Sequence, residues 1–345
     1  MSLSNPSQLL LRNIDLLNAK NPLLINPPAD QLTREIKQHY SDTKLSCFTF
    51  NYADYCYLTS QNNAQCYFAA DYQPTNANKH DLAVIFFPKS KHEFTYTLAM
   101  ITNYLTADAK VLIVGENKSG VKSATKLTTS FLTHCEKVDS ARHCSLFLGD
   151  FNGIIKAFDM AQWFKNYSLK LNDIELTISS LPGVFSQSEL DVGTQLLLNN
   201  LPYKMHNEVL DFGCGAGVIS AYIGKKHPNI KLNLLDVNAL ALKSAEKTLA
   251  INGLQGDVFA SDSLNNVSGK YQHIVANPPF HQGFKTHYAA TETFLANIKQ
   301  HIKNSGDITI VANNFLRYQP IMEDNIAKTA KIMNKNGFAI YRCQL

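Results

Sequence analysis

Asn277-Pro278-Pro279-Phe280 is the stretch of this chain best suited to chemistry on an amine. The Asn277 side-chain oxygen and the Pro278 carbonyl are two hydrogen-bond acceptors beside a flat aromatic face, a set that fits a planar NH2 group. Acceptors on both N–H bonds pull such a nitrogen toward sp3 and aim its lone pair, which is positioning plus electrostatic stabilisation with no covalent intermediate. The apolar run Ile274 to Ala276 just before it has strand length, and two prolines, with φ fixed and no N–H, force the chain out of the sheet. Asn277 is therefore expected at the carboxyl edge of a strand, where open α/β sheets bind ligands. Taken alone, the same letters describe a helix-breaking turn with a core Phe. His281, next along, offers either a route for proton loss or an ordinary surface group.

A second constellation upstream separates those readings. VLDFGCGAGVIS reads as a strand, Val209 to Phe212, then a turn with Gly213, Gly215 and Gly217 at alternate positions, then a helix. Glycines there let the backbone pass close to a ligand and open the helix N-terminus toward it. The dinucleotide fingerprint GxGxxG is not met, since its third glycine would fall on Val218, so a nicotinamide dehydrogenase is the weakest reading. Asp211 lies in the first strand, LNLLDVN ends the next at Asp236 and Val237, 25 residues beyond Asp211, and DVFASDS ends a third at Asp262 and Ser263. A carboxylate at the second strand's end can accept both ribose hydroxyls, and one at the third an adenine amine. Each acid singly is more often a cap or loop residue. Three acids on successive strands, with the glycine turn, describe a nucleotide-like cofactor site. Asp191, ahead of the apolar helix QLLLNNL, reads as an N-cap, and the small polar residues there either touch a ligand or only cap.

DFGCGAG, LLDVN, ASDS and NPPF in this order resemble the class I S-adenosylmethionine-dependent methyltransferases that methylate amines, over most of residues 175–345. With PGVFS and LDVGTQLLL included, the whole chain is similar to the bacterial family of ribosomal RNA small subunit methyltransferase C. The resemblance implies N2-methylation of a guanine in 16S rRNA of the 30S ribosomal subunit, with S-adenosyl-L-methionine as cofactor and no metal. It implies that Asp211, Gly213, Gly215 and Gly217 line the methionine and ribose part of the cofactor. Asp236 with Val237 would take the ribose, Asp262 with Ser263 the adenine, and Asn277, Pro278, Pro279 and Phe280 the target amine and base, Asn277 lying against the cofactor as well. Protein glutamine methyltransferases acting on release factors and DNA adenine methyltransferases share this ledge. A non-catalytic RNA-binding assembly factor on the same scaffold is the reading outside enzymes.

The elements that must hold these residues come from a longer pattern. At 345 residues the chain exceeds what one core serves, so two domains are expected, residues 1–165 and 166–345. YSLKLNDIELTISS, after Trp163, alternates as a β-hairpin leading into the second. No glycine precedes Gly115, so the first half lacks a nucleotide loop. Its blocks nonetheless repeat those of the second half in order: KLSCFTFN at Lys44 with KLNLLDVN at Lys231, FAADY at Phe68 with FASDS at Phe259, DLAVIFFPKS with QHIVANPPFH, and VLIVGEN at Val111 with ITIVANN at Ile308. The expected architecture is α/β, two tandem Rossmann-like methyltransferase domains arisen by duplication, the first degenerate, with Phe86-Phe87 where the second has Asn277-Pro278.

A net charge of +4, spread as 17 basic against 14 acidic residues up to position 170 and 15 against 14 after it, marks neither half as a nucleic-acid block. RNA contact must therefore rest on local patches. Lys118, Lys122 and Lys126 recur every fourth residue, one face of an expected helix, and with Lys89 and Lys91 they form the candidate phosphate-contacting surface. For any one of them a solvated surface is the plainer account. Seven cysteines without a CxxC pair imply a reducing, cytoplasmic setting, and the N-terminal MSLSNPSQLLLRNIDLL reads as an amphipathic helix and not a signal peptide. A monomer without membrane association is expected.

Overall fold

The structure, a computed structural model, describes residues 2–75, 79–278 and 285–345, excluding the side chains of residues 285–290. The chain forms two compact units, residues 1–163 and 164–345. The first contains strands β1 (Pro22–Ile25), β2 (Ser46–Thr49), β3 (Gln65–Phe68), β4 (His80–Phe86), β5 (Leu105–Glu116), β6 (Leu132–Ala141) and β7 (Cys144–Phe151). Its helices are α1 (Asn5–Arg12), α2 (Leu32–His39), α3 (Tyr52–Gln61), α4 (Lys91–Ile101) and α5 (Ala124–Leu127). The amphipathic N-terminal segment is α1, capped by the Ser4 side chain and bearing Leu9 and Leu10 into the core.

The second unit opens with the hairpin β8 (Lys165–Leu171) and β9 (Ile174–Ser180). There follow β10 (Glu208–Phe212), β11 (Lys231–Asp236), β12 (Asp257–Ala260), β13 (Tyr271–Ala276), β14 (Ile302–Asn313), β15 (Thr329–Lys335) and β16 (Phe338–Gln344). Between them run α6 (Val192–Leu198), α7 (Val218–Lys226), α8 (Ala239–Ile251), α9 (Lys285–Asn297) and α10 (Tyr318–Asn325).

Each unit holds a seven-stranded sheet, ordered β3-β2-β1-β4-β5-β7-β6 in the first and β12-β11-β10-β13-β14-β16-β15 in the second. The same order twice is the expected duplication, seen as topology. The first five strands of each sheet are parallel and β7 or β16 runs against its neighbours, so crossover helices cover both faces and the central strands are continuously apolar. The order reverses between β1 and β4 and between β10 and β13, the point where such sheets open a ligand crevice at their carboxyl edge.

Strand pairing aligns the two copies residue by residue. Ile25 pairs with Phe48 and Ile85 as Phe212 pairs with Leu235 and Ala276. Thr49 therefore stands where the second copy has Asp236, and Asn26-Pro27-Pro28 where it has Gly213-Cys214-Gly215. At β3 the register departs from the letter match: Tyr67, not Phe68, pairs with Phe48 as Phe259 pairs with Leu235. A one-residue difference in the following loop explains the slip, because aligned loop letters do not fix strand register. The carboxyl edge of the first sheet is packed with rings: Phe48 lies 5.1 Å from Phe50 and 5.3 Å from Tyr72, Phe50 6.1 Å from Tyr96, and Phe87 4.6 Å from Phe94.

One polar device docks the hairpin of the second unit onto its sheet. Ser244 and Thr248 of α8 and Asn252 at its C-cap, one turn apart, present side chains to the edge of β9. Leu181 N–H donates to Ser244 Oγ at 2.9 Å, and Ser179 N–H to Thr248 Oγ1 at 3.0 Å. Thr177 both donates to and accepts from the Asn252 amide. The helix face thus satisfies an edge strand that would otherwise leave buried backbone unpaired.

Candidate active site

The glycine turn is fixed by backbone geometry before any ligand is considered. Gly213 and Cys214 N–H groups both donate to Leu235 O at 2.9 Å, which folds the turn back over β11. Gly213, Gly215 and Gly217 have φ of 72°, 53° and 77°, the left-handed region in which a side chain is strained. Their surroundings differ. A Cβ on Gly213 or Gly215 would meet nothing within 4 Å, whereas one on Gly217 would stand 3.0 Å from Ala245 Cα of α8. The first two border open space of the kind a ligand fills. Gly217 also serves helix packing and stands at the N-cap of α7.

The acids divide in a similar way. Asp236 is half-buried at the end of β11; its Oδ2 accepts Gly215 N–H at 3.0 Å and its Oδ1 accepts Asn238 N–H at 2.9 Å. Burial raises its pKa while those backbone donors oppose the rise. Each oxygen keeps a further acceptor site, so the carboxylate can hold the turn and two hydroxyls together. Asp262 is half-buried past the end of β12, within a turn closed by Ser261 Oγ donating to Ser263 O at 2.7 Å, and Ser263 has φ 51°. Among the described residues no hydrogen bond to the Asp262 carboxylate is present, which leaves it open to a donor. Val237, half-buried, follows Asp236 directly.

Asp211 departs from expectation. It is fully buried, and its Oδ2 accepts Ser220 N–H at 3.1 Å and Ser220 O–H at 2.7 Å, tying β10 to α7. With no surface of its own, it shapes the turn from behind and does not line it. Burial pushes its carboxyl up to about 7 against the two Ser220 bonds, and the Asp236 charge adds to the rise.

Asn277 leaves β13 at the same edge, since Ala276 pairs with Phe212. Its Nδ2 donates to Thr194 Oγ1 at 2.8 Å and to Asp191 Oδ2 at 3.2 Å. Asp191 is the N-cap of α6, accepting Thr194 N–H at 2.8 Å. The sequence offers capping or ligand contact for these small polar residues; the link to Asn277, 86 residues from Asp191, is not legible there. Pro278 is buried behind Asn277. Pro279, Phe280 and His281 lie outside the described residues, but α9 beyond them is anchored by Phe294, which stacks on Phe212 with ring centres 3.8 Å apart. Phe315 and Arg317 stand exposed on the turn after β14, a strand that adjoins β13. Neither was singled out by pattern, since a lone Phe in NNFLR reads as core.

In the first unit every lysine of the proposed patch is exposed, but the single helix face does not form. Lys118 and Lys122 occupy separate 3-10 turns, Asn117–Ser119 and Val121–Ser123, split by Gly120 at φ 90°, and Lys126 lies in the one-turn α5. Ser119 and Ser123 hydroxyls bond back to Glu116 O and Gly120 O at 2.7 Å each, competing with a continuous helix. Lys118 pairs with Glu116 at 2.9 Å, and Lys91 Cε lies 3.6 Å from where a Gly120 Cβ would stand, so the start of α4 and this turn form one basic surface.

Residues 175–342 match the family described as methyltransferase small domain, and residues 7–167 match the methyltransferase small domain N-terminal family. The chain is 54% identical to the ribosomal RNA small subunit methyltransferase C of Colwellia psychrerythraea strain 34H, over 100% of this chain and 99% of that one. It is 44% identical to the protein of the same name from Aeromonas hydrophila subsp. hydrophila, over 98% of each. Among solved structures it resembles the T. thermophilus 16S rRNA N2 G1207 methyltransferase in complex with AdoMet and guanosine, with TM-score 0.82 and 19% identity, covering 96% of this chain and 91% of that one. At that identity the likeness is one of fold.

Proposed function

Since this chain belongs to the family of ribosomal RNA small subunit methyltransferase C, we propose that it methylates the N2 amine of a guanine in 16S rRNA, at the position its structural relative is named for, G1207. S-adenosyl-L-methionine, when bound, supplies an electrophilic methyl group on a sulfonium. The residues fit it: open space at Gly213 and Gly215, a half-buried Asp236 with acceptor capacity to spare, and an Asp262 carboxylate without a described partner. Asp236 would take the ribose hydroxyls, with Val237 beside it, and Asp262 with Ser263 the adenine. The observation that carries the reading is that Gly213, Asp236, Asp262 and Asn277 all emerge at the carboxyl edge of one sheet, across its reversal point.

Asn277 Oδ1 and the Pro278 carbonyl would accept the two N–H bonds of the guanine amine, drawing the nitrogen lone pair out of the ring and toward the methyl donor. Phe280 would stack on the base once it has left its helix. Proton loss follows transfer, because the alkylated nitrogen is acidic, so no strong general base is required. We place RNA phosphates on Lys89, Lys91, Lys118, Lys122 and Lys126 of the first unit, and assign the chain to the cytoplasm as a monomer acting on 16S rRNA of the 30S subunit. Among the described residues no helix is long and apolar enough to cross a membrane, and no His, Cys, Asp and Glu cluster suits a metal.

The test is methyl transfer to 16S rRNA from a strain lacking this modification, with the modified nucleotide mapped, for the natural protein and for Asn277→Ala. The natural protein is expected to methylate guanine N2, and the variant to bind S-adenosylmethionine but lose at least about 100-fold in turnover. Unchanged turnover in the variant would remove Asn277 from the chemistry, and transfer to release factor or to DNA in place of rRNA would replace the substrate.

A further inference from the structure

We propose that Asp191 and Thr194 are positioning residues which lock the Asn277 amide with its oxygen toward the substrate, so that the shelf accepts an N–H donor and refuses a carbonyl. The inference rests on the reading above and assigns how its acceptor is oriented. An Asn side chain presents an acceptor on one side and two donors on the other, and a half-turn about its terminal bond exchanges them. An amide free to turn would offer its NH2 to a base carbonyl as readily as its oxygen to a base amine, and guanine carries both on one edge.

The geometry removes that freedom. A carboxylate only accepts, so the side of Asn277 facing Asp191 Oδ2 at 3.2 Å must be the NH2 side. The second N–H goes to Thr194 Oγ1 at 2.8 Å, and that hydroxyl, its acceptor side filled, donates onward to Asp191 Oδ2 at 3.2 Å. Both amide hydrogens are spent, and among the described residues no donor reaches the remaining oxygen. Turning the amide over would set its oxygen against a carboxylate and leave the buried Thr194 hydroxyl without the donor it accepts from.

The platform cannot withdraw to relieve this. The start of α6 lies against Phe338, whose ring would stand 3.0 Å from a Cβ on Gly193. Beyond its end, the Arg342 guanidinium donates to Asn200 O and to Thr309 Oγ1, linking the segment after α6 to β14 and β16. An N-cap alone would need only the Asp191 bond to the Thr194 N–H. The two bonds to Asn277 are additional to capping, and they are what the test addresses.

Steady-state kinetics on 16S rRNA decide it, with S-adenosylmethionine affinity measured by calorimetry and folding by thermal denaturation. Thr194→Val is expected to lower kcat about 100-fold, the scale of loss for a misplaced group at the reacting atom, with the affinity for the methyl donor unchanged. Thr194→Ser, which keeps the hydroxyl, is expected to restore most of that loss. Asn277→Asp sets two carboxylates face to face and should be inactive. Asp191→Ser keeps an N-cap acceptor for the Thr194 N–H but withdraws the carboxylate from Asn277, and is expected to lower kcat at least about 10-fold, a readout that survives if Thr194→Val fails to fold. Wild-type kcat in folded Thr194→Val or in Asp191→Ser would overturn the lock while leaving Asn277 as acceptor. An Asn277→Ala enzyme of normal turnover would instead overturn the reading on which the lock rests.

Discussion

A single carboxyl group illustrates how this site stores instability in its ligand-free form. Asp211 is fully buried with only Ser220 donating to it, its Oδ1 has no partner, and burial pushes its pKa up to about 7. The folded chain therefore holds this proton to higher pH than the unfolded chain does. Stability tied to Asp211 is full below the ordinary carboxylate range and is lost as pH rises through about 7. Asp211→Asn removes the titration, so its advantage over the natural protein in urea unfolding without cofactor should grow by about 3 kcal/mol from about pH 5 to about pH 8, at roughly 1.4 kcal/mol per pKa unit. A gap independent of pH would mean that Asp211 is not neutralised by folding. The motif gave away this residue's position but not its role, because DFGCGAG looks the same whether the acid faces the ligand or the interior.

At the scale of elements, the α8 ladder is the contact most exposed to a single change. Thr248→Val keeps the shape of the side chain but removes both bonds to buried Ser179, leaving an N–H and a carbonyl unpaired. The expected cost is about 1–3 kcal/mol of unfolding free energy in urea, and a change under about 0.5 kcal/mol, the usual range of surface substitutions, would show that water takes over these bonds. Strand ends and the acids on them could be read from the sequence, since apolar runs closed by Gly, Asp or Pro carry their own boundaries. The break in the expected helix at residues 118–126 could not, because a four-residue spacing of lysines is indifferent to Gly120 and to serines that bond to their own backbone. Nor could the partnership of Asp191, Thr194 and Asn277, which depends on two segments far apart in sequence meeting at one edge.

At the scale of the whole molecule, one sheet topology appears twice and only the second copy keeps a cofactor cradle. The first lacks both halves of the link between Gly215 N–H and Asp236: Pro28 has no N–H to give and Thr49 has no carboxylate to receive it, while rings fill the edge above. Calorimetric titration with S-adenosylmethionine should thus saturate at one site per chain, and two sites would contradict the loss in the first copy. The ring cluster continues to Trp163, 5.3 Å from Tyr96, and Trp163 is the only tryptophan in the sequence. Indole emission is consequently a private reporter for residues 1–163, while far-ultraviolet ellipticity averages over everything. A melt followed by both signals will trace one curve if the halves come apart together and two if they do not, with no label added.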